Sequence, residues 1–156
     1  MTAKAPASPF LDLHDQPGHL IRRAHQLAVA RFVEAVGPRA TPLQYAILRT
    51  LQDRPGIDQV TLAQAVALDN STTADTAVRL EAKGLISREL LARRQRRLLL
   101  TEAGEQLLAD IAPAVQRMNE SLLAGLPPAE RDALLTLLRQ FIRLNHQPVP
   151  VDGSAT

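Results

Sequence analysis

Asp58-Gln-Val-Thr-Leu-Ala-Gln-Ala-Val-Ala-Leu68, Asp69-Asn-Ser-Thr-Thr-Ala-Asp-Thr-Ala-Val-Arg-Leu-Glu-Ala-Lys-Gly84 and Leu85-Ile-Ser-Arg-Glu-Leu-Leu-Ala-Arg-Arg-Gln-Arg-Arg-Leu-Leu-Leu100 follow one another directly, and their order decides the fold. In the first, Asp58 is an N-cap and Leu62, Ala63, Val66 and Ala67 share one helical stripe, which predicts a helix of about three turns. In the second, Asp69 is another cap and the helix runs to Gly84, which suits the left-handed position beyond a helix end. Two short helices about a tight polar turn make a helix-turn-helix. In the second of them, Val78 and the segment Leu80 to Leu85 are expected to pack inward. Asn70, Ser71, Thr72, Thr73, Thr76 and Arg79 offer the short donors and acceptors that reach base edges in a major groove, so this is the candidate recognition helix. Residues 85–90 and 96–100 then read as two strands joined by Leu91-Ala-Arg-Arg-Gln95. Arg88, Arg93, Arg94, Arg96 and Arg97 crowd this hairpin, and no acid lies between Leu90 and Thr101. Arg93, Arg94 and Arg96 are the candidates for phosphate or narrow minor-groove contact. A solvated charged hairpin is the alternative reading of the same residues.

Three further strings sit at fixed distances around this segment: Thr41-Pro-Leu-Gln-Tyr-Ala-Ile-Leu48, Leu80-Glu-Ala-Lys-Gly-Leu-Ile-Ser-Arg88 and Leu100-Thr-Glu-Ala-Gly104. Together they resemble the MarR family of bacterial winged helix-turn-helix transcription regulators over roughly residues 18–145. The resemblance implies a homodimer with one winged-helix lobe per subunit, binding double-stranded DNA at a palindromic operator and released by a small ligand. The chain departs from the family pattern in two places. Ala92 replaces the acid that commonly precedes the wing-tip arginine, here Arg94, and the recognition helix begins Asp69-Asn70-Ser71-Thr72 where Asp-Arg-Ser-Thr is usual, with Asp75 where a basic residue is frequent.

A chain of 156 residues, 46% hydrophobic, is long enough for one good core and is expected to form a single domain. The formal net charge is only +2, so the basic character is concentrated at the hairpin rather than spread over the surface. The absence of cysteine rules out disulfides and a thiol-based redox switch. No apolar run approaches a membrane span and the N-terminus lacks the features of a signal peptide, so the expected location is the cytoplasm. The tails 1–9 and 147–156, rich in Pro, Ala and small polar residues, are expected to be mobile.

The remaining segments read as helices. Residues 15–36 form a long helical pattern ending before Gly37-Pro38, and Thr41-Pro42-Leu43-Gln44 is a capping box with proline at the first helical position. Thr101 caps a helix running toward Leu123, with a kink expected at Pro113. After Pro127-Pro128, the positions of Leu134, Leu137, Leu138, Phe141 and Leu144 make an apolar stripe. The expected architecture is mainly α with a small β-wing: residues 41–100 form the DNA-binding lobe, and helices from 10–36 and 101–146 form a dimerisation lobe.

The first helix also carries Gly18-His-Leu-Ile-Arg-Arg-Ala-His-Gln26. His19, Arg22, Arg23 and Gln26 fall on one polar arc, and His25 lies among Ile21, Val29 and Phe32. Guanidinium and imidazole beside an apolar wall suit a small aromatic acid, with Tyr45 supplying a hydroxyl. A solvated basic face, a hydrogen-bonded core histidine and a packed tyrosine are the corresponding bland readings. The string is similar to a MarR subgroup that regulates the breakdown of aromatic or pyridine carboxylic acids of the nicotinate type, which implies such an acid as effector. Metal sensing is the rival for His14, His19, His25 and His146, but no two of them form a close pair on a helical face and no thiolate is present, so neither metal nor cofactor is expected. A winged-helix adaptor binding another protein is a further alternative. An enzyme is disfavoured by the lack of a nucleophile elbow, a phosphate-binding glycine loop or a Cys-His pair.

Overall fold

The computed structural model describes residues 11–90 and 96–145. The tails and the wing tip Leu91–Gln95, including Arg93 and Arg94, lie outside the described residues. Among the described residues six α-helices and one two-stranded sheet succeed one another: α1 Pro17–Val36, α2 Pro42–Asp53, α3 Gln59–Ala65, α4 Asn70–Ala82, β1 Ile86–Leu90, β2 Arg96–Leu100, α5 Glu102–Leu122 and α6 Pro128–Asn145. The chain divides into two compact units, Met1–Met118 and Asn119–Thr156.

Local chemistry sets the helix starts in the first unit. Thr41 accepts from Gln44 N at 3.1 Å while the Gln44 side chain accepts from Thr41 N at 3.2 Å, so the expected capping box is complete. Asp58 and Asp69 accept from Thr61 N and Thr72 N, at 2.9 and 2.8 Å. The Thr61 and Thr72 hydroxyls, which donate to the same carboxyls at 2.6 and 2.7 Å, and then these backbone bonds hold both aspartates below their ordinary pKa. α3 is shorter than its pattern suggests. It ends at Ala65, and Ala67 takes φ 55° in the turn before α4, so the last positions of the stripe form the corner and not another helical turn.

The helix-turn-helix closes over one cluster of buried side chains: Ile47, Leu48 and Leu51 of α2, Leu62 of α3, Ala77 and Leu80 of α4, Ile86 and Leu98 of the strands, and Leu108 of α5. β1 and β2 pair antiparallel from Ile86 opposite Leu100 to Leu90 opposite Arg96. The segment before α3 adds to the sheet: Gly56 N donates to Leu98 O at 2.9 Å and Leu98 N to Ile57 O at 3.0 Å. The base of the wing is therefore fixed to the segment leading into α3.

A second cluster, Phe32, Val36, Ala40, Ile111 and Val115, ties the end of α1 to α5. α5 runs unbroken through Pro113. The proline removes one donor, and both it and Ala109, whose carbonyl loses that bond, are exposed, so water can satisfy the group. In the second unit, α6 buries no residue: Leu137, Phe141 and Leu144 of the expected stripe are 63%, 48% and 64% exposed. No helix among the described residues is long and apolar enough to cross a membrane.

Candidate nucleic-acid interface and effector cluster

α4 is amphipathic, but not in the way its residue types suggest. Thr73, Thr76, Ala77 and Leu80 are buried, and at 100° per residue they centre on one side of the helix. Thr73 Oγ1 donates to Asp69 O at 2.9 Å and Thr76 Oγ1 to Thr72 O at 2.8 Å, so both hydroxyls are satisfied within the helix while their methyl groups join the core. This corrects the expectation that Thr73 and Thr76 face the bases. Thr72 is half-buried and its hydroxyl donates to Asp69 Oδ2 at 2.7 Å, which places it in the cap. Asn70, Ser71 and Arg79 are exposed as expected. Val78, expected to pack inward, is 47% exposed. The outward stripe is thus Ser71, Asp75, Val78 and Ala82, flanked by Asn70, Ala74 and Arg79. Spacing of three and four residues from Ser71 was the signal that identifies Asp75 and Val78.

This geometry separates two variants. Thr73→Ala should lower stability by about 1–2 kcal/mol, from lost packing and a lost hydrogen bond, and leave discrimination between cognate and random duplex unchanged. Ser71→Ala should melt like the parent and discriminate less well. Thermal melting and competition binding check both, and a changed base preference in Thr73→Ala with parental stability would contradict the buried placement.

The hairpin arginines divide into committed and free. Arg88, part-buried, donates to Glu81 through Nε at 2.6 Å with a second contact from Nη2, and this holds the Glu81 carboxyl below its ordinary pKa. Arg97 pairs in the same way with Glu89 across the strands. The wing base therefore has an internal acid although position 92 lacks one. Arg96 is exposed and, among the described residues, makes no ion pair within contact distance, although its charge acts on the Glu81 carboxyl; its guanidinium is available to a phosphate.

On α1, three of the polar residues come together. Arg22 Nη1 donates to Gln26 Oε1 at 3.3 Å, and Arg22 Nη2 lies 3.4 Å from His19 Nδ1. The His14 ring meets the His19 ring edge-on with centroids 5.5 Å apart. Local desolvation first, then the charges of Arg22, His14 and Arg23, lowers the His19 pKa, so the ring is neutral at physiological pH. With Nδ1 turned to a guanidinium, the ring proton belongs on Nε2. That atom is shielded from solvent and has no hydrogen-bond partner among the described residues, although the residue as a whole is only half-buried. Arg23 is exposed, and His25 is exposed and not enclosed by Ile21, Val29 and Phe32. Tyr45 stands elsewhere: its ring packs on Phe32 at 5.5 Å and touches both core clusters. Phe32 is thirteen residues beyond His19 on the same helix, roughly 20 Å along its axis. Within one chain, Tyr45 therefore does not join the His19 cluster. Among the described residues no group of three His, Cys, Asp or Glu is placed to hold a metal ion.

Comparison with known proteins bears on both regions. The MarR family model matches residues 40–94, the span from the end of the α1–α2 connection to the wing. The transcriptional regulator HosA of Escherichia coli O157:H7 is 33% identical over 134 residues, covering 85% of this chain and 98% of that protein. The HTH-type transcriptional repressor NicR of Pseudomonas putida is 35% identical over 134 residues, covering 84% of this chain and 85% of that one. Among solved structures, Bordetella bronchiseptica BpsR, whose DNA binding is regulated by 6-hydroxynicotinic acid, is similar with a TM-score of 0.80 and 32% identity, covering 86% of this chain and 98% of its own.

Proposed function

The chain belongs to the MarR family and is a DNA-binding transcription regulator, not an enzyme, and from that premise we propose that it is a homodimeric repressor of a palindromic operator, released by a small aromatic or pyridine carboxylic acid. Binding to DNA rests on α4, whose outward stripe is polar at its N-terminal end, and on a wing whose base is fixed by two internal ion pairs while Arg96 is exposed. Arg93 and Arg94 extend the same basic hairpin in the sequence. The homodimer is supported by the apolar residues that α1 and α6 each leave exposed, Leu20 and Leu27 on one and Leu137, Phe141 and Leu144 on the other.

One observation carries the effector reading: the Nε2 of His19, without a partner among the described residues, on a ring whose Nδ1 faces the Arg22 guanidinium. A ring N–H without an acceptor, in a cluster that carries the Arg22 cation, matches the acceptor oxygens of a carboxylate. Arg23 lies on the same arc as a second cation. Relatives point the same way, since the DNA binding of BpsR responds to a pyridine carboxylic acid. A ligand releases the operator only by binding the non-competent state more tightly, and a hundredfold loss of DNA affinity needs about 2.7 kcal/mol of such preference. One charge-assisted arginine–carboxylate pair, roughly 1.5–3 kcal/mol, is of that size.

The test is fluorescence anisotropy of the full chain on its own upstream promoter DNA, titrated with salt and with nicotinate, 6-hydroxynicotinate, salicylate and benzoate. Affinity should fall steeply with salt, and at least one acid should release the DNA. Release should be lost in Arg22→Ala and His19→Ala while DNA affinity without acid is retained. If no acid acts at millimolar concentration, or both variants respond like the parent, the effector reading fails.

A further inference from the structure

Asp75 occupies the middle of the outward stripe of α4, between Ser71 and Val78, and is exposed. Its carboxylate makes no hydrogen bond or ion pair among the described residues, not even with exposed Arg79 one turn further on. A free anion at the centre of a DNA-reading surface is repelled by the two flanking rows of phosphates on every duplex. It is compatible with tight binding only where a base edge compensates it.

A carboxylate accepts hydrogen bonds and donates none. In the major groove the donors are the cytosine N4 amino group and the adenine N6 amino group, and adenine sets its N7 acceptor beside that donor. Two acceptors in register repel, which leaves cytosine as the base that fits. Val78 follows three residues on, on the same stripe and 47% exposed, so its methyl groups are open to a neighbouring base pair. The apolar group that base pairs offer in this groove is the thymine 5-methyl.

We infer that Asp75 is a specificity-determining residue that selects a cytosine in each operator half-site by accepting from its N4 amino group, with Val78 against the methyl group of an adjacent thymine. The inference rests on α4 being the major-groove helix of the regulator proposed above. It makes the acid at this position a reader of sequence at the expense of general DNA affinity.

The experiment is selection of the full-length protein on a duplex library with a randomised half-site, followed by anisotropy on individual duplexes, for the parent, Asp75→Ala, Asp75→Asn and Asp75→Arg. The parent should prefer cytosine at one position of the half-site by about tenfold or more. Asp75→Ala should lose that preference and keep the others, and should bind duplexes lacking the cytosine at least as tightly as the parent does. Asp75→Asn should move the preference toward adenine, and Asp75→Arg toward guanine. A base profile unchanged by Asp75→Ala, with affinity raised equally on all duplexes, would reduce Asp75 to a phosphate repeller and overturn the inference while leaving the repressor reading intact. A parent chain that selects no DNA would overturn both.

Discussion

Gly104→Ala should destabilise the protein, to heat or denaturant, more than the same substitution at any other described glycine. A Cβ built on Gly104 falls 2.2 Å from the Leu85 carbonyl oxygen and 3.1 Å from Leu100 Cδ2. The oxygen is backbone and cannot rotate away. It also accepts from Thr101 N at 3.2 Å, while Thr101 Oγ1 donates to Gly84 O at 2.6 Å and accepts from Gly104 N at 3.2 Å. Thr101 thus clamps the start of α5 to the corner between α4 and β1, and a methyl group forces that clamp open. Overpacking costs about 1–3 kcal/mol, and each lost hydrogen bond adds about 1 kcal/mol, so a total of roughly 3–5 kcal/mol is expected. Against a total stability of about 5–15 kcal/mol this is a large share, and it corresponds to a fall in melting temperature of roughly 10 °C. Gly84→Ala supplies the contrast. Gly84 has φ 71° with nothing within 4 Å of its added Cβ, so the cost there is the left-handed conformation alone, about 1–2 kcal/mol. Urea or thermal melts of the two variants give the answer: equal, small losses would mean that α5 shifts freely and that the clamp is not tight.

Phe141→Asp should convert the protein to a monomer and lower operator affinity by about a hundredfold or more. Phe141 is 48% exposed and lies with Leu137 and Leu144 on one face of α6, a helix that buries none of its residues within the chain. In the proposed homodimer that face is covered, and an aspartate there loses its hydration without gaining a partner. The two half-sites are then bound separately, so the avidity of a linked pair, on the order of 10²–10⁴, is lost. Sedimentation measures the mass and anisotropy the affinity, while circular dichroism reports that the winged-helix lobe stays folded. A variant that remains dimeric with parental affinity would remove this face of α6 from the interface.

The sequence by itself determines the elements of this protein, because the signals are local. Thr41, Asp58 and Asp69 cap the helices that follow them within three residues, Gly84 takes the left-handed position after α4, and the strands at 86–90 and 96–100 lie where their pattern puts them. Cap, period and turn each depend on neighbours a few positions away. Facing and pairing were decided only in the tertiary structure. Threonine is half methyl and half hydroxyl, so residue type could not tell whether Thr73 and Thr76 look toward DNA or toward Leu62 and Leu80; the choice came from the core that α2, α3 and the strands assemble around α4. Five hairpin arginines read alike in sequence, yet Arg88 and Arg97 are taken up by Glu81 and Glu89, seven and eight residues away, because strand pairing and the α4–β1 corner bring those groups together. Tyr45 was separated from His19 by the length of α1, and the need for glycine at 104 arose from a carbonyl nineteen residues earlier in the chain. The physical reason is common to all of these: hydrogen-bond caps and helical period are fixed by covalent proximity, whereas burial, ion pairing and close approach are fixed by which distant segment packs alongside.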